Sequence, residues 1–366
     1  MQNHASTLAA EFKLDAARVA ATVALIDEGN TIPFIARYRK EATGSMDDQT
    51  LRALDERLSY LRKLDDQKET VHNSITEQGA MTPEIAAALE KAKTLAEVED
   101  IYRPYKPKRK TRASIARARG LEPLAARLLE QRPEDEPALL ARQYITEEVP
   151  DTEAALAGAR DILAEGFSDS ANLRATLRSL YNATALVESK AAKKDTDSVY
   201  SGYYDYSEPA AKMAGHRILA VDRGEREGFL KVSVTVDAAR AVRLLTERTV
   251  KNDSPSAEQV CAAAEDAYVR LIHPSLEREV RAGLTERACE GAISVFSKNL
   301  RQLLLQPPIK GKVALGLDPG YRMGCKTAVV DATGKVLDTI VIYPTAPQNR
   351  VEESKKILKQ MIKKYN

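Results

Sequence analysis

The sequence predicts a mainly α-helical protein that carries a small α+β segment and ends in an α/β segment. Charged residues make up 30% of the 366 residues and aromatic residues 5%, with no Trp, a composition typical of solvated helices with Leu and Ala cores. Apolar residues recur at helical spacing over most of the chain. Near residue 230 and beyond residue 312 they alternate instead, as in strands. At this length we expect two or three domains.

The N-terminal region, residues 1–185, has the pattern of a multi-helix domain. One long helix is predicted where seven apolar side chains, spaced three, four or seven residues apart, form a single stripe. They are Leu51, Leu54, Leu58, Leu61, Leu64, Val71 and Ile75. Helix starts are predicted at Thr82, which precedes a proline, and at Thr94, which has Glu97 three residues later as in a capping box.

Residues 186–308 form the second predicted domain, an α+β segment followed by helix. A half-buried strand is predicted where apolar residues alternate with polar ones, at Leu230, Val232, Val234 and Val236. A helix capped by Ser254 and Pro255 is expected to follow. The prolines at 307 and 308, with Gly311, mark a boundary.

Residues 309–366 form the third predicted domain, with three strands and one helix. The strands are "VALGL", "TAVV" and "VLDTIVIY", with a hairpin turn at "ATGK". The final segment is a helix with one apolar face. Since one helix covers only one side of a sheet, we expect the other side to stay open and the chain to be a fragment of a longer protein.

Asp318 lies at the end of the first of these strands, in "LGLDPGYRMGCKT". A phosphate loop is excluded because the two glycines are one residue too close, Cys325 precedes Lys326, and a strand follows in place of a helix. An actin-like ATP site is disfavoured because Tyr321 and Arg322 would crowd it.

Two interpretations of Asp318 stay open. In an RNase H-like hairpin, it is a weak candidate for a catalytic residue and Mg²⁺ ligand. Such chemistry needs further carboxylates, and Asp331 and Asp338 have no obvious route to the same ion. The favoured alternative is that Asp-Pro-Gly is simply a turn.

The segment "YRPYKPKRKTRASIARARG" is a basic run in a chain whose formal net charge is only +2. It contains no acidic residue, and tyrosines that can stack on bases lie beside it. The candidate nucleic-acid-binding residues are Arg103, Tyr105, Lys106, Lys108, Arg109, Lys110, Arg112, Arg117 and Arg119. The equally open alternative is a solvated, proline-rich connector that balances acidic helices.

Other features of the sequence narrow the class of protein. The four histidines show no metal-ligand spacing and no nucleophile elbow is present. Three cysteines far apart in the sequence suit a reducing compartment and are expected to be buried. No stretch is apolar enough for a membrane span, so a cytoplasmic protein is expected. The tyrosines of "VYSGYYDYSEP" are expected to pack where a strand meets a helix.

Four blocks of the chain closely resemble the Tex family of bacterial transcription accessory proteins. They are "IPFIARYRKEATGSMDDQTLRALDERLSYLRKL", "TLAEVEDIYRPYKPKRKTRASIARARGLEPLA", "YYDYSEP" and "LGLDPGYRMGCKTAVVDATGKVLDT". The resemblance implies helices with a helix-turn-helix-like part, then a YqgF domain of RNase H-like fold, of which residues 309–366 are the beginning. It also implies later helix-hairpin-helix motifs and an S1-type OB-fold domain, which are missing here.

The resemblance further implies a nucleic-acid-binding transcription scaffold that is not an enzyme. The expected partners are RNA or DNA and the transcription machinery, with no membrane and no small-molecule substrate. No cofactor is expected, and Mg²⁺ would matter only if the alternative holds that Asp318 serves a resolvase-like nuclease. A second alternative is a pure protein-interaction scaffold.

Overall fold

The computed structural model describes residues 4–107, 110–193, 198–307, 310–320 and 323–365. Contacts divide the chain into two compact units, Met1–Cys289 and Glu290–Asn366. Helices dominate the first unit, and two three-stranded sheets are present. The mainly α class with a small α+β segment is confirmed. The finer division at residues 185 and 308 stays a prediction.

The first half of the chain is helical as far as residue 184, as predicted. Its helices are α1 (His4–Phe12), α2 (Ala16–Asp27), α3 (Ile32–Tyr38), α4 (Lys40–Thr43), α5 (Asp48–Glu77), α6 (Pro83–Lys91), α7 (Leu95–Tyr102), α8 (Arg112–Ala118), α9 (Glu122–Glu130), α10 (Pro137–Arg142), α11 (Thr152–Asp169) and α12 (Ala171–Thr184). A 3-10 turn, Arg103–Tyr105, follows α7 directly.

Helix α5 organises the N-terminal helices. All seven residues of its predicted apolar stripe are buried. The N-terminal half of the stripe packs with α1 and α2, and the C-terminal half packs with α6 and α7. Because one continuous stripe serves both clusters, α5 joins them into a single body.

The predicted helix starts are largely confirmed. The Thr82 hydroxyl accepts from the backbone N–H of Ile85, and the Thr94 hydroxyl from that of Glu97. The Glu97 carboxylate caps the N–H of Lys93, one residue earlier than a capping box requires. The start at Ser254 is wrong: the helix begins at Ala257, since the Ser254 carbonyl accepts from the Ala257 N–H within the preceding turn.

The α+β segment contains an antiparallel sheet. Its strands are β1 (Leu186–Ala191), β2 (Asp205–Pro209) and β3 (Leu230–Thr235), in the order β2-β1-β3. Helices α13 (Gly215–Arg226), α14 (Ala238–Thr249), α15 (Ala257–Asp266) and α16 (His273–Leu304) follow, with a π-helical turn, Ala267–Ile272, between the last two. The strand predicted near residue 230 is confirmed as β3.

Helix α11 lies at the centre of the large core of this unit. It packs against α8, α9, α10 and α15, and nine of its residues are buried. The predicted packing of the tyrosine cluster is confirmed: Tyr200 is buried, and the rings of Tyr203 and Tyr206 meet edge to face with centroids 5.2 Å apart. Because α8 packs against α11, the part of the basic run in α8 is held against the core of this unit.

The second unit contains β4 (Ala314–Asp318), β5 (Cys325–Val330), β6 (Val336–Ile342) and α17 (Val351–Tyr365). The three strands, the hairpin between β5 and β6 and the final helix are as the sequence predicts, and the sheet has the order β4-β5-β6, antiparallel throughout. One sheet face meets α17 through hydrogen bonds from Lys364 and Tyr365 to Asp338. The opposite face carries Val341, which is 39% exposed.

Two smaller expectations meet different outcomes. All three cysteines are free thiols, but none is fully buried and Cys289 is exposed, so their expected burial is wrong. This is because Cys289 lies on α16 just beyond the last buried residue of that helix, Ala288. Among the helices of the described ranges, none has the length and apolar character needed to cross a membrane.

Candidate nucleic-acid interface

The basic run begins where α7 ends, and a buried ion-pair network fixes that end. The Asp100 carboxylate accepts from Arg174 Nε and from Arg178 Nη2, both at 2.7 Å. Arg174 also donates to the Ser275 hydroxyl at 3.0 Å, and Arg178 is paired with Glu279. Although burial lowers the pKa of Arg178, hydrogen bonds to Glu279 and Asp100 raise it well above its usual value. The network joins α7, α12 and α16, so the start of the run has a fixed position.

The middle of the run is held by Thr111 and Ser114. Each hydroxyl accepts from the other residue's backbone N–H, at 3.0 and 2.8 Å, which completes a capping box at the start of α8. The Thr111 hydroxyl also donates to the Glu165 carboxylate of α11 at 3.1 Å. The backbone that carries Lys110 and Arg112, on either side of Thr111, is therefore held in place by these hydrogen bonds.

Several cations of the run are neutralised by carboxylates. Lys106 lies 2.7 Å from Glu99, Arg117 lies 2.6 Å from Glu165, and Arg119 lies 3.8 Å from Glu148. The Glu165 side chain is only 10% exposed, so its pair with Arg117 mainly anchors α8 on α11. Since paired cations contribute less free positive charge, these three residues weaken the field that the sequence predicts.

Arg103 and Tyr105 face inward. Arg103 is half-buried, and burial, then the neighbouring Arg174 guanidinium, lower its pKa. Its Nε is buried and makes no hydrogen bond within the described part of the chain. Tyr105 packs against the cluster formed by α5, α6 and α7. Both side chains contribute to packing here, and Tyr105 is in addition partly exposed towards a groove, so their part in nucleic-acid binding stays a prediction.

Lys110 and Arg112 are exposed, as Lys106 and Arg119 are, but they differ from those two in their ion pairing. Among the described residues, neither has a carboxylate oxygen within ion-pairing distance of 4.0 Å. They flank the capped Thr111. Lys108 and Arg109 lie outside the described residues, so their part in the site stays a prediction.

An open groove runs from Lys110 along α8, the helix whose first residue is Arg112. It encloses about 620 Å³ and is lined by Lys110, Ser114, Ile115, Ala118, Arg119 and Glu148. A second groove of about 580 Å³ runs along the earlier part of the run, past Tyr105 and Lys106, and includes the acidic Glu165 and Asp169. The first groove suits a phosphate chain better, because its lining is more basic.

Asp318 lies at the end of β4, as the sequence predicts, and is exposed. Its cross-strand partner is Lys326. Beyond it the chain turns tightly: a Cβ on Gly320 would lie 2.4 Å from the Gly324 carbonyl oxygen, and Gly324 has φ +82°. This crowding explains both glycines and is consistent with Asp-Pro-Gly as a turn.

The two other acidic residues of the sheet are engaged elsewhere. Asp331 caps the β5–β6 turn, and hydrogen bonds from Thr333 lower its pKa. The partners of Asp318 and Asp338 in β5 are Lys326 and Val329, an odd number of residues apart, so the two acids lie on opposite faces. Throughout the described ranges, no group of three His, Cys, Asp or Glu side chains converges as a metal site.

Sequence reasoning missed the acidic partner of Arg117 in the run and the acidic centre of the ion-pair network that fixes its start. Glu165 and Asp100 lie in helices whose patterns predict amphipathic packing, and nothing local marks them as ion-pair partners. The pairs Arg117–Glu165 and Arg174–Asp100 span 48 and 74 residues of sequence. Only the tertiary fold brings these charges together.

Models of three Tex domains match consecutive parts of the chain. The Tex-like protein N-terminal domain matches residues 2–76, the Tex central region-like model residues 132–296, and the Tex protein YqgF-like domain residues 312–366. In that order, the three matches correspond to the N-terminal helices, the large core and the second unit. The chain belongs to the Tex family.

Relatives resemble the chain over nearly its full length. Protein YdcI of Bacillus subtilis is 46% identical over 98% of this chain and 51% of its own length. The transcriptional accessory protein Tex of Neisseria gonorrhoeae is 42% identical over 96% of this chain and 48% of its own. The human S1 RNA-binding domain-containing protein 1 is 32% identical over 94% of this chain and 36% of its own. The chain thus spans about half the length of the bacterial relatives.

Proposed function

We propose that this chain is a non-catalytic, nucleic-acid-binding scaffold that works with the transcription machinery in the cytoplasm. RNA or DNA would bind along the first groove, with phosphates at Lys110 and Arg112. The observation that carries the proposal is the exposure of these two cations on either side of a capped, anchored Thr111, with no carboxylate of the described residues within 4.0 Å of either. Cations held in fixed positions neutralise phosphates and release counterions, the main source of sequence-independent affinity.

The comparisons support the class of partner. One relative is named for an accessory role in transcription, and another for an RNA-binding S1 domain. The short helices α8 and α9 are joined by a three-residue connection at 119–121, which is compatible with the helix-turn-helix-like part that the resemblance implies. That assignment remains a prediction.

The non-catalytic part of the proposal is supported by the second unit. Metal-assisted phosphodiester cleavage needs carboxylates that converge on one or two ions. Asp318 is exposed beside Lys326, and Asp338 lies on the other sheet face. We therefore interpret Asp318 as part of the turn. A nuclease test with Mg²⁺ and an Asp318→Asn variant should show intact strands with both proteins.

The test of the proposed contact compares a double variant, Lys110→Gln with Arg112→Gln, with the unchanged chain. Binding of labelled single-stranded RNA and duplex DNA is followed by fluorescence anisotropy from about 50 to 200 mM salt. The slope of log affinity against log salt should become shallower by roughly 1.4 for the single strand and 1.8 for the duplex, because two phosphate contacts are lost.

The matched control removes two exposed cations elsewhere in the same unit, Lys91→Gln with Arg248→Gln. It has the same net charge as the test variant, so a general loss of positive field would affect both equally. Equal slopes for test and control variants would exclude Lys110 and Arg112 from the interface. No binding by the unchanged chain at low salt would instead favour a protein-interaction scaffold.

A further inference from the structure

A second exposed surface combines aromatic rings with positive charge. It lies on α3 and the start of α4, in "IPFIARYRK", and consists of Phe34, Arg37, Tyr38, Arg39 and Lys40. We refer to these five residues as the α3 surface. Tyr38 is 56% exposed and Phe34 36%, although large aromatic side chains usually bury most of their area.

The two rings lie next to each other and form a platform whose two planes are tilted by 46°. Phe34 and Tyr38 are four residues apart on one helix face, and their ring centroids lie 5.2 Å apart. The Arg37 guanidinium lies 5.9 Å from the Tyr38 ring centroid and that of Arg39 5.3 Å from the Phe34 centroid. Such cation–π contacts place each guanidinium group over one face of an aromatic ring.

The platform is held in place from below. Ile35, on an adjoining side of α3, is fully buried, and α3 packs against α2 and α5. A platform on a supported helix loses little conformational entropy when a ligand binds. The exposure of its rings is therefore a property of the folded unit.

Among the described residues, the cations of the α3 surface have no acidic partners of the kind that two arginines of α5 have. Arg57 and Arg62 of α5 contact Glu11 and Asp27 at 2.7 and 2.6 Å. Within the described ranges, no carboxylate oxygen lies within 4.0 Å of the Arg37, Arg39 or Lys40 side chains. These three charges are available to an anionic ligand.

Exposed rings beside unpaired cations match the chemistry of a single-stranded nucleic acid. Unpaired bases stack on aromatic rings without regard to sequence, while the phosphates between them meet cations. A duplex hides its base faces within its own stack and would use only the charges. An acidic peptide would use the charges and leave the rings without an equivalent partner.

We propose that the α3 surface is a second contact site for single-stranded nucleic acid, with bases stacked on Tyr38 and Phe34 and phosphates held by Arg37, Arg39 and Lys40. The inference deepens the proposed function and rests on it, but it uses different residues and a different kind of contact. It predicts a preference for unpaired strands that the groove beside α8 does not require.

The decisive variant is Tyr38→Ala, with Tyr38→Phe as the matched control that keeps the stacking ring. Affinity is measured by anisotropy for a single strand of about 12 nucleotides, within the usual size of such sites, and for a duplex of the same sequence. Tyr38→Ala should bind the single strand at least about fivefold more weakly, equivalent to ~1 kcal/mol. Tyr38→Phe and duplex binding should change by less than about twofold.

A direct readout uses a strand with one photoreactive 5-bromouracil base. After irradiation, the adduct should map to the peptide that contains Phe34 and Tyr38. Unchanged single-strand affinity in Tyr38→Ala without an adduct on this peptide would overturn the inference. So would an equal loss of single-strand and duplex binding, which would indicate a purely electrostatic surface.

An acidic partner is tested with a labelled poly-glutamate peptide. If Tyr38→Ala and Arg37→Gln/Arg39→Gln weaken peptide binding and leave single-strand binding unchanged, the surface serves an acidic protein segment and the inference is wrong. Circular dichroism melts of every variant verify that the variants are folded.

Failure of this inference is distinguishable from failure of the proposed function. If Tyr38→Ala alone weakens single-strand binding and Lys110→Gln/Arg112→Gln does not, the contact at α8 fails and the α3 surface stands. The reverse pattern removes only the α3 surface. If both variants weaken binding, their effects should add, because the sites share no residue.

Discussion

Replacing Asp100 with Ala tests the account of how the basic run is anchored. Asp100 is 3% exposed and accepts hydrogen bonds from the guanidinium groups of Arg174 and Arg178. Removing it leaves two positive charges close together in the core. Each charge-assisted hydrogen bond is worth about 1.5–3 kcal/mol, and breaking a buried pair from one side costs about 3–5 kcal/mol.

The lower half of that range applies here, because the structure offers partial compensation. Arg174 keeps its hydrogen bond to Ser275, and Arg178 keeps Glu279. We therefore expect a loss of about 3–4 kcal/mol in the free energy of unfolding. At about 2 °C per kcal/mol for a unit of this size, the melting temperature should fall by about 6–8 °C.

The assay is thermal unfolding of the full chain followed by far-UV circular dichroism. The control is Arg52→Ala, which breaks the exposed pair between Arg52 and Asp48, with side chains 54% and 52% exposed. It should cost about 0.5 kcal/mol, or about 1 °C. If Asp100→Ala melted as the control does, the buried network would not be the anchor that we describe.

Three further predictions concern local features. Thr111→Val should lower the melting temperature by about 2–4 °C, because it removes the capping oxygen of α8 and the hydrogen bond to Glu165. Thr111→Ser keeps the hydroxyl and should change the melting temperature little, so equal melting temperatures for the two variants would refute this prediction. Burial raises the pKa of Glu225, but hydrogen bonds from Arg281 outweigh burial, so the pKa is lowered. The ionised carboxylate should therefore stabilise the fold above about pH 4.5, and this stabilisation should be lost as the pH falls further. The melting temperatures of Glu225→Gln and the unchanged chain should converge as the pH is lowered, and a gap that stays constant across pH would contradict this. Gly320→Ala should disrupt the β4–β5 hairpin, because its Cβ would meet the Gly324 carbonyl oxygen, and hydrogen exchange of the β4 and β5 amides should accelerate; unchanged protection would contradict the described turn.

Local patterns predicted the elements of this fold well where they carry their own signal. The apolar stripe of α5 was predictable because its seven residues recur at helical spacing among polar and charged ones, and all seven are buried. Strand β3 was predictable for the corresponding reason. Strands β1 and β2 were not, because their burial depends on a sheet closed between segments distant in sequence.

The candidate site was predicted only in outline. A run of basic residues is visible in the sequence, but the carboxylates that neutralise Arg117 and Arg119 come from other segments. The sequence therefore overstated the free charge of the run. The sequence also did not indicate the α3 surface, because it does not show whether an aromatic residue of a helix is exposed or buried. That depends on how the helix packs in the fold.

The most direct test of the central claim is a salt titration of single-stranded RNA with the unchanged chain, with and without Mg²⁺, followed by a gel of the labelled strand. The account predicts binding that weakens steeply as salt rises, and a strand that stays intact both with and without Mg²⁺. No binding at low salt would contradict the nucleic-acid role. Binding followed by Mg²⁺-dependent cleavage, abolished in Asp318→Asn, would contradict the non-catalytic one.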